Sequence, residues 1–299
     1  MSQFIHIVVN FSEGRRKELI EEIIAPIKGV EGVKLIDFYP DPDFNRTIVE
    51  VIGHPVPMKA SVFNMAKQIF KHIDMEKQTG THPRIGALDT LSIYPLANFS
   101  LEETISLAED IGQELHDMFK VPIYFSGENA RNEERKNLAF LRKGQYEGLK
   151  EVIHTAERLP DIGTELHPTA GATIVNGAAS GLVAVNVILN TKDINIARDI
   201  ARVMRGPSGG FSTIRAVAFY LEDQDYVAVS MNMFDTDATP IYRAFKVIEF
   251  EAARYGLSIV GTQIVGTLPQ EALINCAEYF LKLVDFNRDQ IIENHLIDI

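Results

Sequence analysis

Apolar and polar positions along this chain switch between two periods in a repeated order. The run Phe4-Ile5-His6-Ile7-Val8-Val9 is a short β-type segment, and residues 14–28 then place Leu19, Ile20, Ile23, Ile24 and Ile27 on one helical stripe that ends at Gly29 and Gly32. Strand-like runs at 33–39 and 47–52 flank an Asp/Pro/Asn loop. A second amphipathic helix carries Val62, Met65, Ala66, Ile69, Phe70 and Ile73 at helical spacing, and residues 88–94 read as a strand. The order β-α-β-β-α-β recurs in the second half: a strand at 182–189, a helix at 194–205, a strand pair at 213–220 and 226–233, a helix at 240–255 and a strand at 257–260. This is the split-βαβ, ferredoxin-like unit written twice. The expected fold class is α+β, with two ferredoxin-like (βαββαβ) subdomains, mixed sheets, helices on the outer faces and a cleft between the sheets.

Between the repeats lies an insert with a helix at 101–119, a strand at 121–125 and polar helical segments reaching 159. Residues 160–181 are rich in glycine, threonine and proline, so the expected division is an N-terminal subdomain over 1–180 and a C-terminal one over 181–299. The tail from Glu271 reads as one helix and a polar extension.

Composition narrows the chemistry. With 29 basic against 41 acidic side chains the formal charge is −12, which argues against nucleic acid as a partner. Any basic pocket for an anionic substrate must then be local. Cys276 is the single cysteine, so no intrachain disulfide and no cysteine-cluster metal site is expected. The N-terminus lacks the basic region and apolar run of a secretory signal, and no apolar stretch reaches the roughly 18–20 residues that span a bilayer. The expectation is a soluble cytoplasmic protein with no membrane partner. There is no Gly-x-Gly-x-x-Gly fingerprint, no Walker-type loop and no His-Glu-x-x-His spacing. Metal-free group transfer by acid–base chemistry fits what remains.

The most suggestive stretch is Thr81-His82-Pro83-Arg84-Ile85-Gly86-Ala87-Leu88-Asp89. Histidine titrates near neutrality, Pro83 biases His82 towards extended backbone, and Arg84 offers a planar donor fork suited to a carboxylate. The run reads either as an active-site loop or as a surface turn. A second long polar loop with a His-Pro step spans 160–173, and loops of that length inside compact domains are usually functional or disordered. Ser12 and Glu13 suit the start of a helix, Ser12 as its N-cap, whereas Asn10 has no such explanation. Asp41-Pro42-Asp43-Phe44-Asn45-Arg46 contains ordinary turn formers, and Gly206-Pro207-Ser208-Gly209-Gly210-Phe211 is partly a helix C-cap signal. The basic pair Arg142-Lys143 is of a kind that surface salt bridging explains more often than substrate binding.

Taken in order, these motifs resemble one family closely, the glutamate formiminotransferases. The resemblance rests on Asn10-Phe11-Ser12-Glu13-Gly14, Asn45-Arg46, His82-Pro83-Arg84-x-Gly86-Ala87-x-Asp89, Gly127-Glu128-x-Ala130-Arg131, Leu141-Arg142-x-Gly144-x-Tyr146-Glu147, Pro160-Asp161-x-Gly163, Gly171-Ala172-Thr173, Val229-Ser230-x-Asn232 and Val265-Gly266. It implies transfer of a formimino group between N-formiminoglutamate and tetrahydrofolate in histidine degradation, with tetrahydrofolate as co-substrate, no metal, and a homodimer. It also implies His82 as catalytic general acid/base. As folate contacts it implies Gly163, Thr164, Glu165, Leu166, His167, Pro168, Thr169, Ala170 and Gly171, with Gly209 and Phe211. On this reading Arg46, Arg84 and Arg131 are candidates for gripping glutamate carboxylates, Arg84 first because it sits beside the histidine. Two departures stand out. The chain ends too early to hold the cyclodeaminase domain of animal relatives, so ammonia release is expected to fall to a separate protein. Tyr39 stands where many relatives carry an acid two residues after Asp37, and the loop near Glu165 looks altered. Formyl transfer from N-formylglutamate is the nearest alternative, and a folate-binding protein without turnover is the alternative from another class.

Overall fold

The computed structural model describes residues 2–221 and 225–296. These divide between Ala179 and Ser180 into two compact units. Residue 1 and residues 297–299, at the ends of the ranges expected from sequence, lie outside the described residues.

In the N-terminal unit β1 (Phe4–Phe11), α1 (Lys17–Ile24), β2 (Val33–Asp41), β3 (Arg46–Gly53), α2 (Pro55–His72) and β4 (Leu88–Ala97) follow the expected order. They give the strand sequence β2-β3-β1-β4 with antiparallel neighbours throughout. The insert supplies α3 (Leu101–Phe119), β5 (Ile123–Gly127), α4 (Leu138–Leu141), α5 (Gln145–Val152) and β6 (Thr173–Gly177). β6 pairs in parallel with both β4 and β5, so the sheet runs β2-β3-β1-β4-β6-β5 and is mixed. β6 lies inside the glycine-rich stretch that reads as a boundary region. Its Thr-Ile-Val core is strand-forming, but it is too short to show a period.

Alternation along the strands sorts the two faces of this sheet. Ile5, Ile7, Val9 and Phe11 of β1, Val49 and Val51 of β3, and Leu91 and Ile93 of β4 pack with α1, α2 and α3 in one core. Burying each such side chain contributes roughly 1.5–3 kcal/mol, which makes this the stabilising face. The intervening residues point the other way: His6, Val8 and Asn10 of β1, Arg46, Ile48 and Glu50 of β3, Thr90, Ser92 and Tyr94 of β4. Over β5 and β6 that second face is covered by the insert, where Tyr124 and Ile174 pack with Leu141, Leu149 and Ile153.

Ser12 is not the N-cap of α1. Its hydroxyl donates to the Gly86 carbonyl at 2.7 Å and its N–H to Ala87. The Glu13 carboxylate accepts from the N–H groups of Arg15 and Arg16, so the helix begins at Lys17. Burial alone would raise the Glu13 pKa, yet these backbone bonds and Arg16 hold it below the ordinary value.

The C-terminal unit repeats the motif with β7 (Val183–Leu189), α6 (Ile194–Met204), β8 (Ile214–Leu221), β9 (Tyr226–Met233), α7 (Ile241–Ala253) and β10 (Ile259–Val265), followed by α8 (Gln270–Leu281). Its sheet order is β10-β7-β9-β8. Every pair in it is antiparallel, so only the first sheet is mixed in the sense expected. The reason is geometric: each helix returns the chain to a parallel strand, but one position further along, and an antiparallel strand fills the gap. Among the described residues no helix is long and apolar enough to cross a membrane.

Candidate active site

His82 stands at the end of the N-terminal sheet where β1 finishes and β3 begins. Arg46, the first residue of β3, donates from Nη1 to His82 Nε2 at 3.3 Å. A guanidinium can only donate, so Nε2 carries a lone pair in this arrangement and the ring proton resides on Nδ1. Phe44 flanks the imidazole with ring centroids 6.0 Å apart, and the Arg46 guanidinium lies over the same phenyl ring. The turn that presents Phe44 is set by Asp41, whose carboxylate accepts from the N–H groups of Asp43 and Phe44. Asn45 follows in the left-handed region (φ 51°) and ties three segments together. Its Oδ1 accepts from Gly14 N–H at 2.9 Å, its Nδ2 donates to Thr79 O at 2.6 Å, and its carbonyl accepts from Gln78. The three N-terminal motifs of the sequence are thus one structure.

The loop after His82 is braced from two sides. Arg84 is 5% exposed, and all five of its N–H groups are engaged, with Gln78, Gln145 and Glu147. It therefore has no donor left for a substrate carboxylate, which corrects its ranking as the foremost grip: it is a brace between the histidine loop and α5. Asp89, 1% exposed, is the extra residue of a β-bulge in β4, because Asn10 faces Thr90 while Phe11 faces Leu88. The bulge re-aims its side chain. One oxygen accepts from Ile85 N–H at 2.7 Å and the other from Nε and Nη2 of Arg142 at 2.9 and 2.6 Å. Arg142 is thereby held at the histidine loop, a role that the frequency of surface salt bridges conceals. Its signal was the spacing Leu141-Arg142-x-Gly144-x-Tyr146-Glu147, whose Tyr146 N–H also donates to the Arg84 carbonyl.

The second His-Pro loop meets the first. Ala87 N–H donates to Ala170 O and Ala172 N–H to Ile85 O, which makes Gly86 and Gly171 an antiparallel bridge. His167 Nδ1 accepts from the N–H groups of Thr169 and Ala170, at 3.3 and 2.9 Å, while Pro168 O and Thr169 O accept from Tyr146 and Met75. Of the expected folate segment, His167 to Gly171 therefore borders the histidine loop. Leu166 packs into the hydrophobic layers beneath, and Thr164 and Glu165 are exposed. Gly163 has φ +81° and lies against His116. Burial lowers the His167 pKa, and Nδ1 can accept these bonds only while it is unprotonated. The folded state thus binds fewer protons at His167 than the unfolded chain does. Its contribution is complete above the ordinary histidine value and is lost as pH falls below it. Amide-exchange protection of Thr169 and Ala170 should accordingly decline below about pH 6.5. Unchanged protection down to pH 5 would remove His167 from the organisation of this loop.

Arg131 is not gathered at His82. It is exposed near Glu109 and Asp161, over the ring of Phe125 of edge strand β5. Four strand spacings, about 19 Å, separate β5 from β3. Gly209 and Phe211 belong to the C-terminal unit. Gly209 follows a short turn after α6 with φ 93°, and Phe211 packs against that unit's core.

The electrostatics of the cluster explain the local basic pocket of an acidic chain. The His82 pKa is pushed down to about 3, first by burial and then by Arg46, Arg142 and Arg84, with Asp41 opposing. Arg46 is itself lowered by burial and by Arg142. A neutral imidazole whose Nε2 lone pair is held by the Arg46 guanidinium, with Arg142 and Arg84 nearby, suits proton transfer once an anionic substrate draws Arg46 away.

Family profiles describe the whole arrangement. The formiminotransferase domain, N-terminal subdomain, matches residues 4–179, and the formiminotransferase domain matches residues 183–299. The chain belongs to the formiminotransferase family. Among similar members is the glutamate formimidoyltransferase of Streptococcus pyogenes serotype M1, 38% identical over 299 residues that cover 99% of this chain and 100% of that one. The glutamate formimidoyltransferase of Thermoplasma acidophilum is 37% identical over 294 residues, covering 98% and 97% respectively. The formimidoyltransferase-cyclodeaminase of Gallus gallus is 35% identical over 288 residues, which are 94% of this chain and 53% of that longer one. In this formiminotransferase the braced histidine loop lies wholly within the N-terminal match.

Proposed function

We propose that this chain transfers a formimino group between N-formimino-L-glutamate and tetrahydrofolate, giving 5-formiminotetrahydrofolate and L-glutamate, in histidine degradation. The observation that carries the reading is the neutral His82 imidazole set between Arg46 and Arg142 where the two His-Pro loops are bonded together. Tetrahydrofolate acts as co-substrate. Its nitrogen-5 attacks the amidine carbon of the donor, and a tetrahedral intermediate forms. Nitrogen-5 must then lose a proton and the glutamate nitrogen must gain one before the C–N bond breaks. His82 Nε2 takes the first proton and returns it to the leaving nitrogen. Arg46 turns from the imidazole to a carboxylate of the donor, with Arg142 beside it, and Arg131 is too far along the sheet to share that grip. The segment from Gly163 to Gly171 is retained as the folate-contacting loop. The family resemblance adds Gly209 and Phe211.

The decisive experiment offers tetrahydrofolate with N-formiminoglutamate and with N-formylglutamate in separate reactions and resolves the folate products. Faster turnover of the formimino donor is expected. Faster turnover of the formyl donor would make the chain a formyl transferase on the same scaffold, and folate binding without transfer of either group would make it a binding protein. The same reading takes the protein as a cytoplasmic homodimer. Sedimentation as a monomer at working concentration would remove the dimer from it.

A further inference from the structure

The arginines around His82 differ in how many donors the protein itself occupies. A guanidinium carries five N–H groups. Arg84 has all of them engaged, with Gln78, Gln145 and Glu147. Arg142 has two engaged, on Nε and Nη2, and both end on the same oxygen of Asp89. Among the described residues nothing accepts from its Nη1. Arg46 has one engaged, at His82.

Arg142 is held at backbone and side chain alike. It stands at the junction of α4 and α5, its N–H donating to Leu138 O and its carbonyl accepting from Gln145 N–H. One edge of its fork is clamped by the buried Asp89, which is itself bonded to Ile85 N–H of the histidine loop. The side chain nevertheless keeps 15% of its surface open. It belongs to the cluster without hydrogen-bonding the imidazole: its charge lowers the pKa of both His82 and Arg46, while its side-chain bonds go to Asp89.

The donor of the transfer reaction is a dicarboxylate with two unequal ends. Its α-carboxylate shares a carbon atom with the leaving nitrogen, so it must stay beside the imidazole that protonates that nitrogen. Arg46 is the arginine bonded to His82, which places it for this near end. The side-chain carboxylate lies two methylene groups further out. It needs a second cation in the same basic cluster, set back from the imidazole and with donors to give.

We propose that Arg142 grips the side-chain carboxylate of the donor with Nη1 and so makes the site specific for glutamate, while Arg46 takes the α-carboxylate. The inference rests on the transfer reading above and deepens it. A planar fork clamped along one edge presents its other donors in a fixed direction, so little side-chain freedom is lost when the carboxylate arrives. Arg84 has no donor left for this part, and Arg131 lies beside β5, four strand spacings from β3.

The test offers three donors with tetrahydrofolate, each carrying the formimino or the formyl group according to which the wild type transfers faster. They are the glutamate derivative, the norvaline derivative, in which a methyl group replaces the side-chain carboxylate, and the 4-aminobutyrate derivative, which lacks the α-carboxylate. Wild type should prefer the glutamate donor to the norvaline donor by roughly 10–100-fold, chiefly through KM, the factor expected for one charge-assisted hydrogen-bonded contact. Arg142→Lys keeps a cation against the buried Asp89, and so the fold, but replaces the fork by a single nitrogen. It should lose most of the preference over the norvaline donor and keep the preference over the 4-aminobutyrate donor. Equal use of the glutamate and norvaline donors by wild type would overturn the grip without reference to any variant. A loss in Arg142→Lys confined to the 4-aminobutyrate comparison would overturn it as well. So would an equal slowing of all three donors, which is what a mere brace for Asp89 would give. Transfer from no donor by the wild type would overturn this inference together with the transfer reading, an outcome distinct from the others.

Discussion

Replacing His82 by alanine should lower transfer by about 10²–10⁴-fold, the usual range for a positioned general acid/base, while the chain stays folded and still binds folate. The fold should tolerate the change because His82 is half-buried at the end of the sheet and makes its hydrogen bond to a single side chain, Arg46. Near-normal turnover would remove His82 from the mechanism. The same residue fixes an expectation for pH. With its pKa pushed down to about 3, the free enzyme holds His82 neutral across the physiological range, so kcat/KM should show no His82 limb between pH 5 and 8. A bound dicarboxylate offsets the positive charge of Arg46 and Arg142, which removes part of the cause and raises the pKa. An acid limb of kcat should therefore lie at higher pH than that of kcat/KM, and coincident limbs would show that substrate charge does not reach the imidazole. Linkage works in the same direction for folding. The folded pKa lies below the unfolded value near 6.5, so the neutral form contributes stability above pH 6.5 that is lost between there and about 3.

Gly86→Ala should be the most damaging small substitution in the N-terminal unit. A methyl there would lie 2.0 Å from Ala172 O and 2.8 Å from Ala170 O, and both are backbone atoms of the paired loop. No side chain can yield, so the bridge to Gly171 must open and its flanking hydrogen bonds weaken. Overpacking and the loss of one or two such bonds together suggest a loss of roughly 2–5 kcal/mol. Thermal unfolding should fall by several degrees, with transfer abolished even below the new midpoint. Gly29→Ala is the matched control. Gly29 has φ +74° but nothing within 4 Å of the added carbon, so it should lose only about 1 kcal/mol through backbone strain and retain activity. Equal effects of the two substitutions would mean that close approach of the two loops is not what Gly86 provides.

Much of this was legible in the residues. Both βαββαβ units showed as alternating periods because each strand buries one face and each helix one stripe, as Ile5, Ile7 and Val9 against Ile20, Ile23 and Ile24 illustrate. The chemistry of its loop made His82 a candidate, and the family resemblance rather than that chemistry singled it out. The partner of that loop was not legible, since pairing between residues so far apart leaves no trace in local periodicity. β6 was hidden for a related reason: five residues between glycines carry too little pattern to separate from a linker. Arg84 and Arg142 show the limit most clearly. Local sequence ranks Arg84 above Arg142 because it stands two residues from the histidine, whereas the fold saturates Arg84 with Gln145 and Glu147 and brings Arg142 in on Asp89. Charge alone does not distinguish a grip from a brace; the count of donors already in use does.

The pairing of the two loops also has a consequence for the order in which the chain is completed. β1 to β4 and their two helices pack from residues close in sequence, but Thr173 must return to Leu88 across 85 residues before the loop at His82 acquires its far wall. Closing so long a span forfeits chain entropy that only the finished β4-β6 pairing recovers. On the ribosome, a chain that has emerged no further than α5 holds His82, Arg46 and Arg142 without the segment to which the histidine loop is paired. The loop at His82 gains its paired neighbour only when the strand that looks least like a strand slots between β4 and β5.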